Sequence, residues 1–260
     1  MVAIVTGAGS RAPGVGNGRA AAILFAREGA RVLLVDSVAE WADQTLGMIA
    51  DEHGEASVVE ADVTRAQDCQ RIVDEAVRRY GRIDILHNNV GIGGNGSVVD
   101  IDLEAWDQIM QVNVKSMMLM ARHVIPVMAA NGGGAITNVS SISSIRPRGL
   151  TPYTTSKGAV NALTIAMAVD HAAQGIRVNA ILPGPVYTPG VASAGMTPEQ
   201  RATRARSSLL GTEGTAWDVG WAAVYLASPE ARWVTGQLLC VDGGVSLTSA
   251  ARSVGDEPRR

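Results

Sequence analysis

The stretch Val2-Ala3-Ile4-Val5-Thr6-Gly7-Ala8-Gly9-Ser10, followed by Gly14, Gly16 and Gly18 and then by Arg19 to Arg27, decides the fold. It reads as a short buried strand, a glycine-rich turn and a helix. A dinucleotide site needs this order, because a pyrophosphate must approach backbone N–H groups at a helix N-terminus with no Cβ atoms in the way. Gly7, Gly16 and Gly18 are the glycines expected to bind the cofactor. Counting back from Glu28-Gly29-Ala30 makes Gly16 and Gly18 the close-approach pair and leaves Arg11–Val15 as extra residues. Arg11 in that enlarged loop can salt-bridge a phosphate or stand in solvent, and the solvated reading is favoured.

A glycine-rich stretch alone also fits an ordinary turn. The strand–glycine–helix context favours a nucleotide, and so does Asp36 at the end of the second strand. A carboxylate there accepts hydrogen bonds from an adenosine ribose and repels a 2′-phosphate, so NAD is expected over NADP. The bland alternative is an aspartate that merely starts the turn before Ser37.

Outward from this unit the chain alternates short β-branched runs with longer helical patterns. Strands are expected at Val2–Val5, Arg31–Val35, Ala56–Glu60, Ile83–His87, Gly134–Val139, Arg177–Leu182 and Gln237–Val241. Helices are expected at Arg19–Arg27, Val38–Asp51, Arg65–Arg79, Trp106–Ala129, Tyr153–Ala173 and Ala216–Leu226. Strands joined through helices cannot be hairpins, so the crossovers imply an α/β fold: a single-domain, Rossmann-type, doubly wound parallel sheet of about seven strands. Its binding crevice lies outside the carboxyl ends of the strands. The expected unit is 1–248, with a substrate loop at about 183–212 and a polar tail at 249–260. Within the loop, Thr197 reads as a helix N-cap with Pro198 in the first turn.

Composition narrows the function. The 260 residues are 47% hydrophobic and 18% charged, with a formal net charge of −3. That mild acidity argues against nucleic acid or an anionic membrane as partner. The longest strongly apolar window, Gly158 to Val169, is too short to span a bilayer, and Val2–Val5 lacks a signal-peptide flank. The default expectation is therefore a cytoplasmic protein acting on a small molecule. Cys69 and Cys240 cannot make a disulfide framework, and His53, His87, His123 and His171 show no ligand spacing, so no metal is expected.

Tyr153-Thr154-Thr155-Ser156-Lys157 places a phenol and an ammonium four residues apart, on one helical face. An ammonium near a tyrosine stabilises phenolate and is expected to lower the phenol pKa toward neutrality. Alone, this spacing mostly marks an amphipathic helix. Here Asn138-Val139-Ser140-Ser141 ends the preceding strand, Asn88-Asn89-Val90-Gly91 ends the fourth, and Asn113 lies in the following helix.

These motifs together resemble the short-chain dehydrogenase/reductase family in its compact form. The resemblance runs from Thr6-Gly7 through Asn88–Gly91, Ser141, Tyr153 and Lys157 to Pro183-Gly184 and Asp242-Gly243-Gly244. It implies Tyr153 as general acid/base, Lys157 as its neighbour hydrogen-bonded to the nicotinamide ribose, and Asn113 as the residue holding a water that links Lys157 to solvent. It further implies Asp62 and Val63 against the adenine, and Asn89 and Gly91 in the motif that packs the central sheet and the cofactor ribose region. Pro183 and Gly184 open the segment in which Val186 and Thr188 grip the carboxamide. A homotetramer or homodimer is implied as well.

Ser140 stands thirteen residues before Tyr153, the usual family spacing, and Ser141 twelve. Strand register rather than loop length selects which hydroxyl faces the crevice, and Ser141 is chosen. His87 reads as packed and Cys69 as inert. Met117, Met118 and Met120 read as core, with a subunit interface as the sharper option. Trp106, Trp217 and Trp221 read as helix packing, Tyr187 as a substrate wall, and Arg146 and Arg148 as solvated or as anchors for an anionic substrate.

The expected reaction is hydride transfer between NAD(H) and a secondary alcohol or ketone. Three rivals stand beside it. One is a catalytically silent NAD(H)-binding sensor or scaffold, which has no need of Ser141, Tyr153 and Lys157. Another is an enoyl reductase of related fold, whose Tyr–Lys spacing is longer. The last is a sugar-nucleotide epimerase or dehydratase, for whose substrate domain the residues after Leu182 leave little room.

Overall fold

The computed structural model describes residues 1–147, 149–193 and 195–247. The elements that place the site run β1 (Val2–Thr6), α1 (Asn17–Arg27), β2 (Arg31–Asp36), α2 (Ala39–Asp51), β3 (Ala56–Glu60), α3 (Ala66–Tyr80) and β4 (Ile85–Asn88). They continue with α4 (Leu103–Met110), α5 (Ser116–Ala130), β5 (Gly134–Val139), α6 (Thr151–His171) and β6 (Ile176–Pro183). The last part holds β7 (Val186–Tyr187), α7 (Pro189–Ala192), α8 (Pro198–Arg206), β8 (Gly214–Thr215), α9 (Ala216–Ala227) and β9 (Leu238–Val241). Seven strands form one sheet in the order β3-β2-β1-β4-β5-β6-β9, and every pairing is parallel.

The strand order reverses between β1 and β4, which opens the crevice where a doubly wound sheet binds its ligand. One face of the sheet is covered by α1, α2 and α9, through Ile23, Phe25, Ile49, Val219 and Leu226. The other is covered by α3, α5 and α6, through Ile72, Val73, Met120, Val124 and Met167. Because β1 and β2 are covered on both sides, they read as continuous apolar runs rather than alternating ones.

The structure differs from the sequence expectation in several places. The helix expected at Trp106–Ala129 starts earlier, at Leu103, and is interrupted by a π-helical turn, Gln111–Lys115, before α5. Helical periodicity hardly registers one wide turn, yet that turn carries Asn113. The short strands β7 and β8 form a second, two-stranded sheet that the sequence does not announce. Thr197 caps α8 in a capping box with Gln200, as the Thr-Pro sequence predicts. Met117 and Met120 are core residues, whereas Met118 is 38% exposed and Trp221, expected in helix packing, is 51% exposed. Residues 249–260 lie outside the described residues.

His87 on β4 is fully buried edge-on to Phe25, and neither ring nitrogen has a hydrogen-bond partner among the described residues. Burial pushes its pKa down from 6.5 to about 4. The folded protein therefore keeps His87 neutral while the unfolded chain takes up a proton as pH falls below 6.5. Stability present above pH 6.5 is lost between there and about 4, and at pH 5 the loss reaches about 2 kcal/mol. Urea unfolding of His87→Leu at pH 7 and pH 5 should show that acid loss reduced by this amount. An identical loss in both proteins would assign it elsewhere. Cys69 is likewise buried, its thiol pushed up to about 11, which leaves it protonated and inert.

Candidate active site

The phosphate loop is built from close approaches. Gly7 adopts φ +64°, turning the chain out of β1. A Cβ on Gly18 would stand 2.1 Å from the Gly7 carbonyl oxygen, so only glycine lets α1 start against β1. A Cβ on Gly16, the N-cap of α1, meets nothing within 4 Å, so the space in front of the helix N-terminus is open. Within the protein a further close approach falls at Gly9, which the sequence pattern does not single out. A Cβ on Gly9 would stand 2.5 Å from the Trp41 Cβ and 2.9 Å from the Asp36 Oδ2.

Asp36 is buried at the end of β2, where its Oδ2 accepts from the Gly9 N–H at 2.9 Å and its Oδ1 from the Val38 N–H at 3.3 Å. It thus serves the turn and lines the cavity at once. That cavity, ≈ 450 Å³, is walled by Gly7, Gly16, Gly18, Asp36, Asp62, Val63, Asn89 and Gly91, with Trp41 beside Asp36. The Asp62 Oδ1 accepts from the Thr64 N–H and hydroxyl at 2.9 and 2.7 Å. The extra residues are pinned from below by Arg19, which is buried and donates to the Gly14 carbonyl at 2.6 Å and to Thr45 Oγ1 at 2.9 Å. Burial lowers the Arg19 pKa and the Asp36 carboxylate opposes that shift.

At the end of β4 the two asparagines of the motif divide its work. Asn88, not Asn89, ties the central sheet: its Nδ2 donates to Asn138 Oδ1, and Asn138 Nδ2 donates to Thr164 Oγ1 on α6, both at 2.9 Å. Asn89 instead donates from Nδ2 to the Gly7 carbonyl at 3.1 Å and from its backbone N–H to Thr6 Oγ1 at 3.1 Å, bracing the phosphate loop. Asn113 is fully buried on the π turn, with Oδ1 accepting from the Ile92 N–H at 2.8 Å. Its Nδ2 donates to the Ile92 carbonyl and to Ser156 Oγ, both at 2.9 Å. Gly91 lies over Lys157 Nζ and Asn113 Oδ1, 3.2 and 3.3 Å from where its Cβ would be.

The adjoining cavity, ≈ 470 Å³, brings together Ser141, Tyr153, Lys157, Pro183, Gly184, Val186 and Thr188. Ser141 shares this cavity with the Tyr153 phenol, and its hydroxyl accepts from the Ser143 N–H at 3.1 Å. Ser140 turns the other way and donates to the Lys157 carbonyl at 3.0 Å, holding α6 to the end of β5. Lys157 Nζ donates to the Val139 carbonyl at 2.8 Å and lies 5.7 Å from the Tyr153 ring centroid.

The expected lowering of the phenol pKa is corrected by this geometry. Burial pushes Tyr153 up, and the nearby Ser141 hydroxyl offsets only part of that. Lys157 is itself desolvated, its pKa down from 10.5 to about 8. Near neutral pH the phenol is therefore held protonated beside a cation that is close to losing its charge.

Two expectations on the substrate side fall differently. Tyr187 is no cavity wall: Arg201 stacks over its ring at 3.6 Å, and Glu213 bridges Arg201 and Arg204 at 2.9 and 2.6 Å. Arg146 donates to the Val245 carbonyl rather than standing free, and Arg148 lies outside the described residues. Among the described residues no group of three His, Cys, Asp or Glu side chains is placed to hold a metal, and no helix is long and apolar enough to cross a membrane.

A family model described as enoyl-(acyl carrier protein) reductase matches residues 13–246. Cis-4-hydroxycyclohexanecarboxylate dehydrogenase of Sinomonas cyclohexanicum is 38% identical, covering 94% of this chain and 95% of its own. A 7α-hydroxysteroid dehydrogenase solved with NADH and 7-oxo glycochenodeoxycholic acid superposes with a TM-score of 0.87 at 35% identity, over 94% of this chain and 93% of its own. A short-chain type dehydrogenase/reductase from Mycobacterium ulcerans superposes with a TM-score of 0.88 at 29% identity, over 95% and 90%. The chain belongs to the short-chain dehydrogenase/reductase family of oxidoreductases, which use a nicotinamide cofactor. The site residues fit such a cofactor: an uncapped helix N-terminus, open space at Gly16 and a buried carboxylate at the far end of the same cavity.

Gly9, Arg19, Trp41, Asn88 and Ser156 are the site residues that the sequence reading misses. The doubled asparagine and the Gly-Ala-Gly run carry a signal for two of them. Arg19, Trp41 and Ser156 carry none, since their partners are distant in sequence.

Proposed function

We propose that this chain is an NAD-dependent dehydrogenase/reductase that interconverts a secondary alcohol and a ketone. The observation that carries this reading is that Ser141, Tyr153 and the buried Lys157 line one cavity, which shares Arg11, Asn17, Asn89 and Thr188 with the cavity that ends at Asp36. The nicotinamide, when bound, supplies or accepts the hydride.

Tyr153 exchanges a proton with the substrate oxygen, and Ser141 donates to that oxygen as its negative charge develops. Lys157 stands beside the phenol, and Asn113 and Ser156 brace the first turn of the helix that carries Tyr153: Asn113 Nδ2 donates to Ser156 Oγ, which donates to the Tyr153 backbone carbonyl at 2.7 Å. Thr188 and Val186 line the wall on which a carboxamide rests. A phenol held protonated is the form that donates to a ketone, which is the proton transfer that carbonyl reduction needs.

The spacing of four between Tyr153 and Lys157 favours a carbonyl substrate over an enoyl one. The relatives act on a hydroxylated ring acid and a hydroxysteroid, which supports a hydroxylated or oxo-bearing ring as the substrate class. A homotetramer or homodimer fits the exposed apolar groups, Met118, Ile165 and Val169 on one side and Trp221, Tyr225 and Trp233 on another. The protein acts in the cytoplasm on a small molecule, without nucleic acid, membrane or metal.

The test is the fall in reduced-nicotinamide absorbance over a panel of cyclic ketones, diketones and keto acids, with NADH and NADPH in parallel. Turnover should require NADH, and Asp36→Ala should cut the NADH preference by about tenfold or more, the effect of one charge-assisted contact. Turnover with NADPH alone, or unchanged selectivity in the variant, would overturn the cofactor assignment. Tight NADH binding with no turnover on any carbonyl would favour a binding protein.

A further inference from the structure

Among the described residues the wall of the nucleotide cavity carries three charged side chains, and Arg11 is the one cation, set against Asp36 and Asp62. Its guanidinium makes no hydrogen bond or ion pair among the described residues. Arg11 is exposed, yet it lines the catalytic cavity as well as the nucleotide cavity. The wall shared by both, with Asn17 and Thr188, lies between Asp36 at the adenosine end and Tyr153 at the reacting end. The diphosphate of a dinucleotide spanning the two has to cross this joint.

Arg11 also meets the substrate loop. Its Nη2 and Nε lie 3.5 and 3.8 Å from where a Gly190 Cβ would be, in the first turn of α7. The neighbouring loop touches the same turn, since a Cβ on Gly14 would stand 3.1 Å from Pro189 Cγ. The inserted segment is held in place: Ser10 Oγ donates to the Ala12 carbonyl at 2.7 Å, and the buried Arg19 holds the Gly14 carbonyl at 2.6 Å. Arg11 therefore rides on a pre-ordered loop, which lowers the entropic cost of using it to bind an anion.

We propose that Arg11 binds the pyrophosphate of the nicotinamide cofactor and in the same pose ties Thr188–Gly190 to the phosphate loop, so that the inserted Arg11–Val15 segment couples cofactor binding to closure of the substrate loop. This rests on the dinucleotide reading above and assigns a role to residues that reading leaves unused. Arginine suits it because its planar fork reaches two phosphate oxygens at once. The position also separates it from a 2′-phosphate contact, which belongs at Asp36 and Ser37.

Two measurements test it. Energy transfer from tryptophan to NADH, with displacement by ADP-ribose, gives affinities for the unaltered chain, Arg11→Ala and Arg11→Lys. Arg11→Ala should bind NADH and ADP-ribose about tenfold more weakly, the size of one charge-assisted hydrogen bond, with the NADH:NADPH ratio unchanged. Arg11→Lys should recover part of the loss. Equal binding by all three proteins, or a loss confined to NADPH, would overturn the proposal and leave the dinucleotide reading intact. No binding of either cofactor by the unaltered chain would overturn both. The second measurement is tryptic cleavage after Arg206 at saturating NADH. The cofactor should slow it several-fold in the unaltered chain and not in Arg11→Ala; equal protection of both would sink the coupling to the substrate loop.

Discussion

Replacing Tyr153 by phenylalanine should lower kcat about a thousandfold while leaving the NADH dissociation constant within about twofold, because positioned acid–base catalysis contributes between about 10² and 10⁴ in rate. The substitution removes one oxygen from a half-buried side chain, so the fold has little to lose. Ser141 keeps its hydrogen bond from the Ser143 N–H when the phenol is gone. Lys157 keeps its bond to the Val139 carbonyl. Stopped-flow turnover beside equilibrium NADH binding separates chemistry from binding. A variant retaining more than a tenth of the activity would remove Tyr153 from the proton transfer. The direction of its pKa adds a further signature: alcohol oxidation needs the phenolate that burial disfavours, so the oxidation rate should climb with pH through the alkaline range.

The second large effect is expected at Gly18. Alanine there places a Cβ 2.1 Å from the Gly7 carbonyl oxygen and 2.5 Å from Asn89 Nδ2. The first is backbone at the end of β1, which cannot yield unless the whole of α1 shifts away from the sheet. In an open helix the same change would stabilise by up to about 1 kcal/mol through backbone entropy. Here overpacking outweighs that gain, and a net loss of about 3 kcal/mol is expected, or roughly 6–12 °C in Tm for a chain of this size. NADH binding should be lost with it, since Gly7 and Asn89 frame the phosphate loop. Gly47→Ala on α2 is the control, because a Cβ there meets nothing within 4 Å. It should stabilise by a few tenths to about 1 kcal/mol. Similar melting of the two variants would refute the packing account of Gly18.

Residues that act through local geometry are legible in the amino-acid order itself. The glycine turn between β1 and α1, the carboxylate at the end of β2 and the Thr197 cap each depend on neighbours within a few positions, and Tyr153 and Lys157 share a face because a helix repeats every 3.6 residues. The parallel sheet follows from connection lengths alone. Strand and helix ends fall within three residues of expectation, those of β3 and β5 on it, and the π turn at Asn113 is hidden within a helical pattern.

What the chain alone determined is therefore the order of its elements, the class of its fold and the spacing of its chemical groups. The tertiary structure decided which of those groups meet. It turned Ser141 to Tyr153 and Ser140 to α6, handed the sheet contact to Asn88 and the phosphate loop to Asn89, and stacked Arg201 on Tyr187. It also reversed the expected direction at Tyr153, where burial raises the phenol pKa by more than the nearby Ser141 hydroxyl lowers it. Alternation along a strand and periodicity along a helix are set by adjacent bonds. Burial, hydrogen-bond partners and electrostatic environment come from atoms tens of residues apart in sequence, and exist only once the sheet has brought them together.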